Sequence, residues 1–269
     1  MARTPRTGLM TALTLRNVSV WLDALAPLGG TFAQALEWAG RLRLPLLAVS
    51  EDMSAAAHGA CAAACKTKGI PLQNAEGGDQ LFQPQALAVF GNYLTGQRRE
   101  RLLHRALHNQ QGAVLVCPRA VQPMSRVLVL HDEHSSHAGF LDGAAQLCGA
   151  LEASPVVLTV ARTASAACRR QELAEKILAQ HRLAAHFDLV VGRDAHSAVV
   201  SVARWRRCGH VFLAHRWAGP WWRWLRGDTL MSLLGLTDSL AFLALPEEHS
   251  LLLAPAEETP AEMSGAAAP

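Results

Sequence analysis

From Arg126 to Pro246 short, continuous apolar runs alternate with longer amphipathic stretches, and few architectures satisfy that order. The apolar runs are Val127 to Leu130, Val156 to Val160, Phe187 to Val191, Val211 to Ala214 and Leu240 to Leu245. Unbroken apolar runs of this length suit strands covered on both faces, as in a parallel sheet. Between them Phe140, Leu141, Ala144, Ala145, Leu147 and Cys148 share one face of a helix over Ala138 to Ala153. A second helix is predicted over Gln171 to Ala185, from the spacing of Leu173, Ile177, Leu178 and Leu183. A third is predicted over Ala195 to Cys208, and a last one opens near Thr229, just after Gly227 and Asp228. The predicted order is βαβαβαβαβ.

The first half repeats the pattern in countable form. Asp23 follows the run Val18 to Leu22 and Asp132 follows Val127 to His131, and each is followed 17 residues later by a glycine, Gly40 and Gly149. Pro45 and Pro155 then open the next apolar strands. From Asp23 to Pro118, after the strand Ala113 to Cys117, is 95 residues, whereas from Asp132 to Pro246 is 114. The shortfall is about one helix, assigned to a loop between Leu72 and Ala86 that holds Glu76, Gly77, Gly78, Asp79 and Pro84. The sequence therefore predicts two tandem Rossmann-like α/β units with mainly parallel five-stranded sheets, the first shortened. They occupy residues 14–118 and 126–246, joined by a short linker, 119–125, stiffened by Pro118 and Pro123. Residues 1–13 read as a flexible N-terminus, and the Ala-, Glu- and Pro-rich residues 247–269 as a disordered tail.

A chain of 269 residues, 50% hydrophobic and 17% charged, can bury two cores. No apolar stretch approaches the ~18 residues of a membrane span, so a membrane is not an expected partner. Arg3, Arg6 and Arg16 precede or flank Leu9 to Leu15, but Thr11 and Thr14 break that run and no export signal results. Six cysteines without a CxxC pair suit a reducing compartment, and the expected location is cytoplasmic. Cys61 and Cys65, one turn apart, read either as core residues or as a metal or redox pair. A formal charge of +3, with arginines scattered on wet helix faces and no aromatic-interleaved motif, gives no footprint for nucleic acid.

The duplicated order, with Val127-Leu128-Val129-Leu130-His131-Asp132 and Val157-Leu158-Thr159-Val160, resembles the universal stress protein family over about Leu15 to Leu245. The resemblance implies that Asp132 contacts the adenosine part of ATP and that Val160 lies against the adenine. It also implies a phosphate motif: two glycines separated by two residues, nine more residues, then Gly and Ser or Thr. Here Gly227-Asp228-Thr229 falls on the closing pair, while Trp217 and Ala214 stand where the loop glycines belong. Asp228 puts a carboxylate where a hydroxyl is expected, a repulsion of ~1 to 4 kcal/mol per charge pair at 4 Å. In the first unit Gly91-Asn92-Tyr93-Leu94 keeps one glycine and is followed by Arg98, Arg99 and Arg101.

Two further stretches stand out. His131-Asp132-Glu133-His134-Ser135-Ser136-His137 reads either as a zinc-type cluster or as a polar loop that caps the next helix. The segment Arg216 to Arg226 holds four of the seven tryptophans, and a helical turn from Pro220 would align Trp217, Trp221 and Trp224. They read as packing against the other unit or a second subunit, as a partner or membrane-surface patch, or as a lid over a planar ligand. With no GxSxG elbow and no P-loop, the expected function is non-catalytic: a stress-response or regulatory protein with ATP as a regulatory ligand. It would work as a pseudo-dimer of its two units, Ala113 to Cys117 facing Leu240 to Leu245, or as a homo-oligomer with a protein partner. The alternative is a nucleotide-binding or ATP-hydrolysing enzyme of the same α/β class, with Asp132 and His131 as candidate acid and base.

Overall fold

A computed structural model describes residues 12–22, 29–50, 54–76, 85–91, 112–133, 138–192, 195–215, 229–246 and 250–253. The first half contains β1 (Ala12–Leu15), β2 (Asn17–Trp21), α1 (Gly30–Leu42), β3 (Leu46–Ser50), α2 (Ala55–Thr67), β4 (Leu72–Glu76), β5 (Ala86–Gly91) and β6 (Ala113–Cys117). The second contains β7 (Arg126–His131), α3 (Ala138–Ala150), β8 (Ser154–Ala161), α4 (Ala164–Gln180), β9 (His186–Val191), α5 (Ala195–Arg206), β10 (His210–His215), α6 (Thr229–Leu236), β11 (Ala241–Pro246) and β12 (Ser250–Leu253).

Ten strands form one sheet in the order β4-β3-β2-β5-β6-β11-β10-β7-β8-β9. The order is a palindrome of element positions about the β6/β11 seam. Every pairing in the sheet is parallel except that seam, where β6 and β11 run antiparallel with Leu115 opposite Leu243. Instead of the two five-stranded sheets expected, the chain builds a continuous one. An unpaired β6 or β11 would leave a row of backbone donors and acceptors on a fully apolar strand, and pairing the two removes both edges.

Alternation of side chains across the strands divides the core into two layers. Val127, Val129 and Val157 face α1, α3 and α4, and Leu128, Leu130, Val156, Leu158 and Val160 face α5 and α6. The first layer runs under both halves: Trp38 of α1 packs against Phe212 of β10, ring centroids 6.1 Å apart. Trp38 Nε1 also donates to His210 Nε2 at 3.4 Å, and Arg41 donates to the carbonyl of Leu151 at 2.6 Å. Cys61 and Cys65 point from α2 into this layer and are buried, as core residues would be.

The linker is fixed rather than merely short. Its Gln122 N–H donates to Gln34 Oε1 at 2.7 Å, its Pro123 carbonyl accepts from His210 Nδ1 at 3.3 Å, and Met124 is buried. Two glycines make room for it: a Cβ on Gly30 would stand 1.8 Å from the Arg119 carbonyl oxygen, and one on Gly209 2.3 Å from that of Pro123.

Several local expectations change. Leu72–Glu76, expected within a loop, is β4, paired along its length with β3. Its register with Leu46 to Ser50 supplies the hydrogen bonds that a polar, weakly apolar sequence gave no sign of. Nine residues separate β4 from β5, and residues 77–84 lie outside the described ones. Ser250–Leu253, expected in a disordered tail, forms β12, parallel to β1 and alongside α3. The partner strand, Ala12–Leu15, straddles the expected boundary of the N-terminal segment, so the pairing was invisible to a reading of either end alone. No helix among the described residues is long and apolar enough to cross a membrane.

Candidate functional site

The chain leaves β7 toward β8 and β9 on one side, then returns to β10 on the other. This reversal makes a switch point at the carboxyl ends of β7 and β10, the kind of place where open α/β sheets take ligands. Asp132, the residue after β7, stands at that rim and is 8% exposed. Its chain neighbour Glu133 meets Arg162, the residue after β8, at 3.1 Å. The arginine is well exposed, so that ion pair orders the rim more than it stabilises the fold.

Of the other nucleotide residues expected, Val160 is near the end of β8, opposite Val190, on the face covered by α5 and α6. Thr229 is the first residue of α6, as expected for a helix opening at this rim, and Leu230, Leu233 and Leu234 hold that helix on the same face. Gly227, Asp228, Trp217, Trp221 and Trp224 lie outside the described residues. So do Asp23, Asn92, Arg98 and the segment His134 to His137, including most of the expected histidine cluster. Ala214, where the spacing places a loop glycine, is still within β10 and opposite Leu245. Its pairing with β11 holds the chain in the sheet at that point, whereas pairing with β7 ends at Phe212.

His131 turns the opposite way from Asp132. It is fully buried at the end of β7, on the α4 side of the sheet, beside Thr159 in the neighbouring strand. Neither ring nitrogen of His131 nor the Thr159 hydroxyl has a hydrogen-bond partner among the described residues. Burial pushes the His131 pKa down to about 4, with the Arg170 guanidinium adding to the shift and Asp132 opposing it. The imidazole is therefore neutral near pH 7, with one donor and one acceptor nitrogen.

A cavity of 170 Å³ opens beside it, lined by His131, Ala166, Arg169, Arg170 and Leu173. Arg170 is anchored, its Nη1 donating to the Val160 carbonyl at 3.0 Å. This group does not show in the sequence, where apolar periodicity marks the second helix only from Gln171. In fact α4 begins at Ala164, behind Thr163, whose hydroxyl accepts from Ala166 N at 3.3 Å. The first turns, Ala-Ser-Ala-Ala-Cys-Arg-Arg, carry no apolar stripe, and an N-capping threonine was the one available signal.

No protein-family model matches the sequence, and no curated protein matches it. Solved structures do. A universal stress protein from Archaeoglobus fulgidus superimposes with a TM-score of 0.60 at 13% identity, over 87% of this chain and 98% of that one. The fold is that of a universal stress protein. A putative universal stress protein from Pseudomonas aeruginosa UCBPP-PA14 gives 0.60 at 16% identity, covering 86% of this chain and 93% of that one. A functionally unknown protein from Pseudomonas aeruginosa PAO1 gives 0.59 at 14% identity, covering 86% and 92%. At such identities the likeness concerns architecture.

Proposed function

We propose that the chain is a non-catalytic regulatory protein of the universal stress protein kind, built from two tandem units and responsive to an adenine nucleotide bound weakly in the second. The observation that carries this reading is the position of Asp132, at the switch-point rim between β7 and β10. In this reading Asp132 meets the ribose, Val160 borders the base, and Thr229 offers its hydroxyl and the free N–H groups of the α6 terminus to the phosphates. Asp228 repels those phosphates, which keeps affinity low. The tryptophans Trp217, Trp221 and Trp224, which follow β10 in the chain, cover the base or a protein partner.

The palindromic strand order supports reading residues 14–118 and 126–246 as two units that pack as a pseudo-dimer through their last strands. The first unit then serves as a structural half and the second as the ligand-responsive one. Calorimetric titration of the full chain with Mg-ATP tests the proposal. Binding in the high micromolar to millimolar range that is lost in Asp132→Asn is the expected result. No heat at millimolar nucleotide ends the nucleotide reading, and release of phosphate or AMP that vanishes in the same variant would replace it with an enzyme.

A further inference from the structure

We propose that the pocket between His131 and α4 binds a small organic anion, with its charge on the guanidiniums of Arg169 and Arg170 and a polar substituent on the imidazole. This site is separate from the nucleotide crevice and does not rest on it. His131 faces the layer of α3 and α4, whereas Val160 and α6 belong to the opposite face of the sheet.

Three features of the pocket point to that chemistry. First, His131 is completely buried, yet both ring nitrogens lack a partner among the described residues and the ring lines the cavity. An unpaired buried polar group is costly, so a ligand that satisfies it gains affinity from doing so. Second, Arg169 and Arg170 lie on the same wall, and Arg170 is held in place by its hydrogen bond to the Val160 carbonyl. A guanidinium anchored through one nitrogen keeps its remaining donors for a planar anion. Third, Ala166 and Leu173 complete the lining with apolar surface. Two cations, a neutral donor-acceptor ring and a short apolar wall fit an anionic group on a short carbon frame.

Size narrows the class. Liquid water occupies about 30 Å³ per molecule, and a hollow of 170 Å³ suits a ligand with a frame of a few heavy atoms. A carboxylate and a phosphate share the recognition chemistry, and separate titrations distinguish them. Neutral His131 adds selectivity, because it can donate to one ligand oxygen while accepting from a ligand hydroxyl.

The test uses the full chain labelled with ¹⁵N-histidine, titrated separately with lactate and with inorganic phosphate at constant ionic strength. The expected result is saturable movement of the His131 ring nitrogen signals with one of the two anions. In Arg169→Gln, an exposed position that leaves the melting temperature unchanged, binding weakens by about tenfold or more, as loss of one charge-assisted contact gives. Leu173→Phe, which fills the cavity from its apolar wall, abolishes the response in a chain that still melts cooperatively. Ring signals that stay fixed with both anions would mean that the cavity holds water only, and signals that move equally in the natural chain and in Arg169→Gln would mean that the anion binds elsewhere; either result would overturn the proposal. Asp132→Asn, which removes the nucleotide contact, leaves the anion response in place, so the two readings fail separately.

Discussion

The indole of Trp38 donates to Nε2 of His210 across the midline of the molecule, and the Nδ1 of the same ring faces the Pro123 carbonyl. A ring that accepts at Nε2 must carry its proton at Nδ1, so one neutral tautomer satisfies α1, β10 and the linker together. This histidine joins three segments that are remote in sequence.

That arrangement makes the fold sensitive to acid. Burial lowers the His210 pKa to about 4, the Arg41 charge adds to the effect and the Pro123 hydrogen bond opposes it. Between the usual value of 6.5 and about 4 the unfolded chain binds a proton that the folded chain does not, so stability is full above 6.5 and falls as pH drops through this window. At pH 5 the loss is roughly 2 kcal/mol for one such histidine, and His131 contributes in the same direction. Urea unfolding at pH 7.5 and pH 5 measures it. His210→Gln should be less stable at neutral pH and lose a clear part of the pH dependence, and an unaltered acid response in that variant would place the titration elsewhere.

The glycines under the linker are positions where a single methyl group is costly. Gly30→Ala and Gly209→Ala each drive a Cβ into a backbone carbonyl oxygen that cannot swing aside. Each should destabilise the chain by more than ~2 kcal/mol, a typical penalty for overpacking a fixed backbone. Gly59→Ala, in α2 with open space around its Cα, is the control and should raise stability by up to ~1 kcal/mol. Equal urea midpoints for all three variants would show that the linker moves freely.

Thiol reactivity reports on the core directly. Of the six cysteines only Cys168, on α4, is exposed. Burial pushes the Cys148 thiol up to about 12 and that of Cys208 up to about 11, and it raises Cys117, Cys61 and Cys65 as well. A disulfide exchange reagent at pH 8 should therefore titrate one thiol quickly in the native chain and all six in denaturant. Rapid release of two or more in the native state would mean that α2 or the sheet opens on the timescale of the assay.

Much of the second half was legible because its strands are buried on both faces. Val127 to Leu130 and Val156 to Val160 are runs that only a covered strand explains, and the structure extends them by a residue or two at either end. The same physics hid β4, whose Gln73 and Asn74 are exposed beside an inner strand, and β12, which depends on a partner at the far end of the chain. It also hid the start of α4, since a run of alanine and serine can enter a helix without marking an apolar face. At the candidate crevice Asp132 was found from its place after an apolar run, because strand ends are readable. The anion pocket was not, because it depends on which way His131 points, and only pairing with Thr159 beneath α4 settles that.

The antiparallel seam has a geometric outcome that is independent of what binds. Strands of the two halves run in opposite directions, so the carboxyl ends of β2 and β5 lie on one rim of the sheet and those of β7 and β10 on the other. The molecule is thus two-ended, and its two switch points lie too far apart to share one small ligand. The halves meet through the strand pair where Leu115 faces Leu243 and, beneath the sheet, through Trp38, which reaches His210 and Phe212.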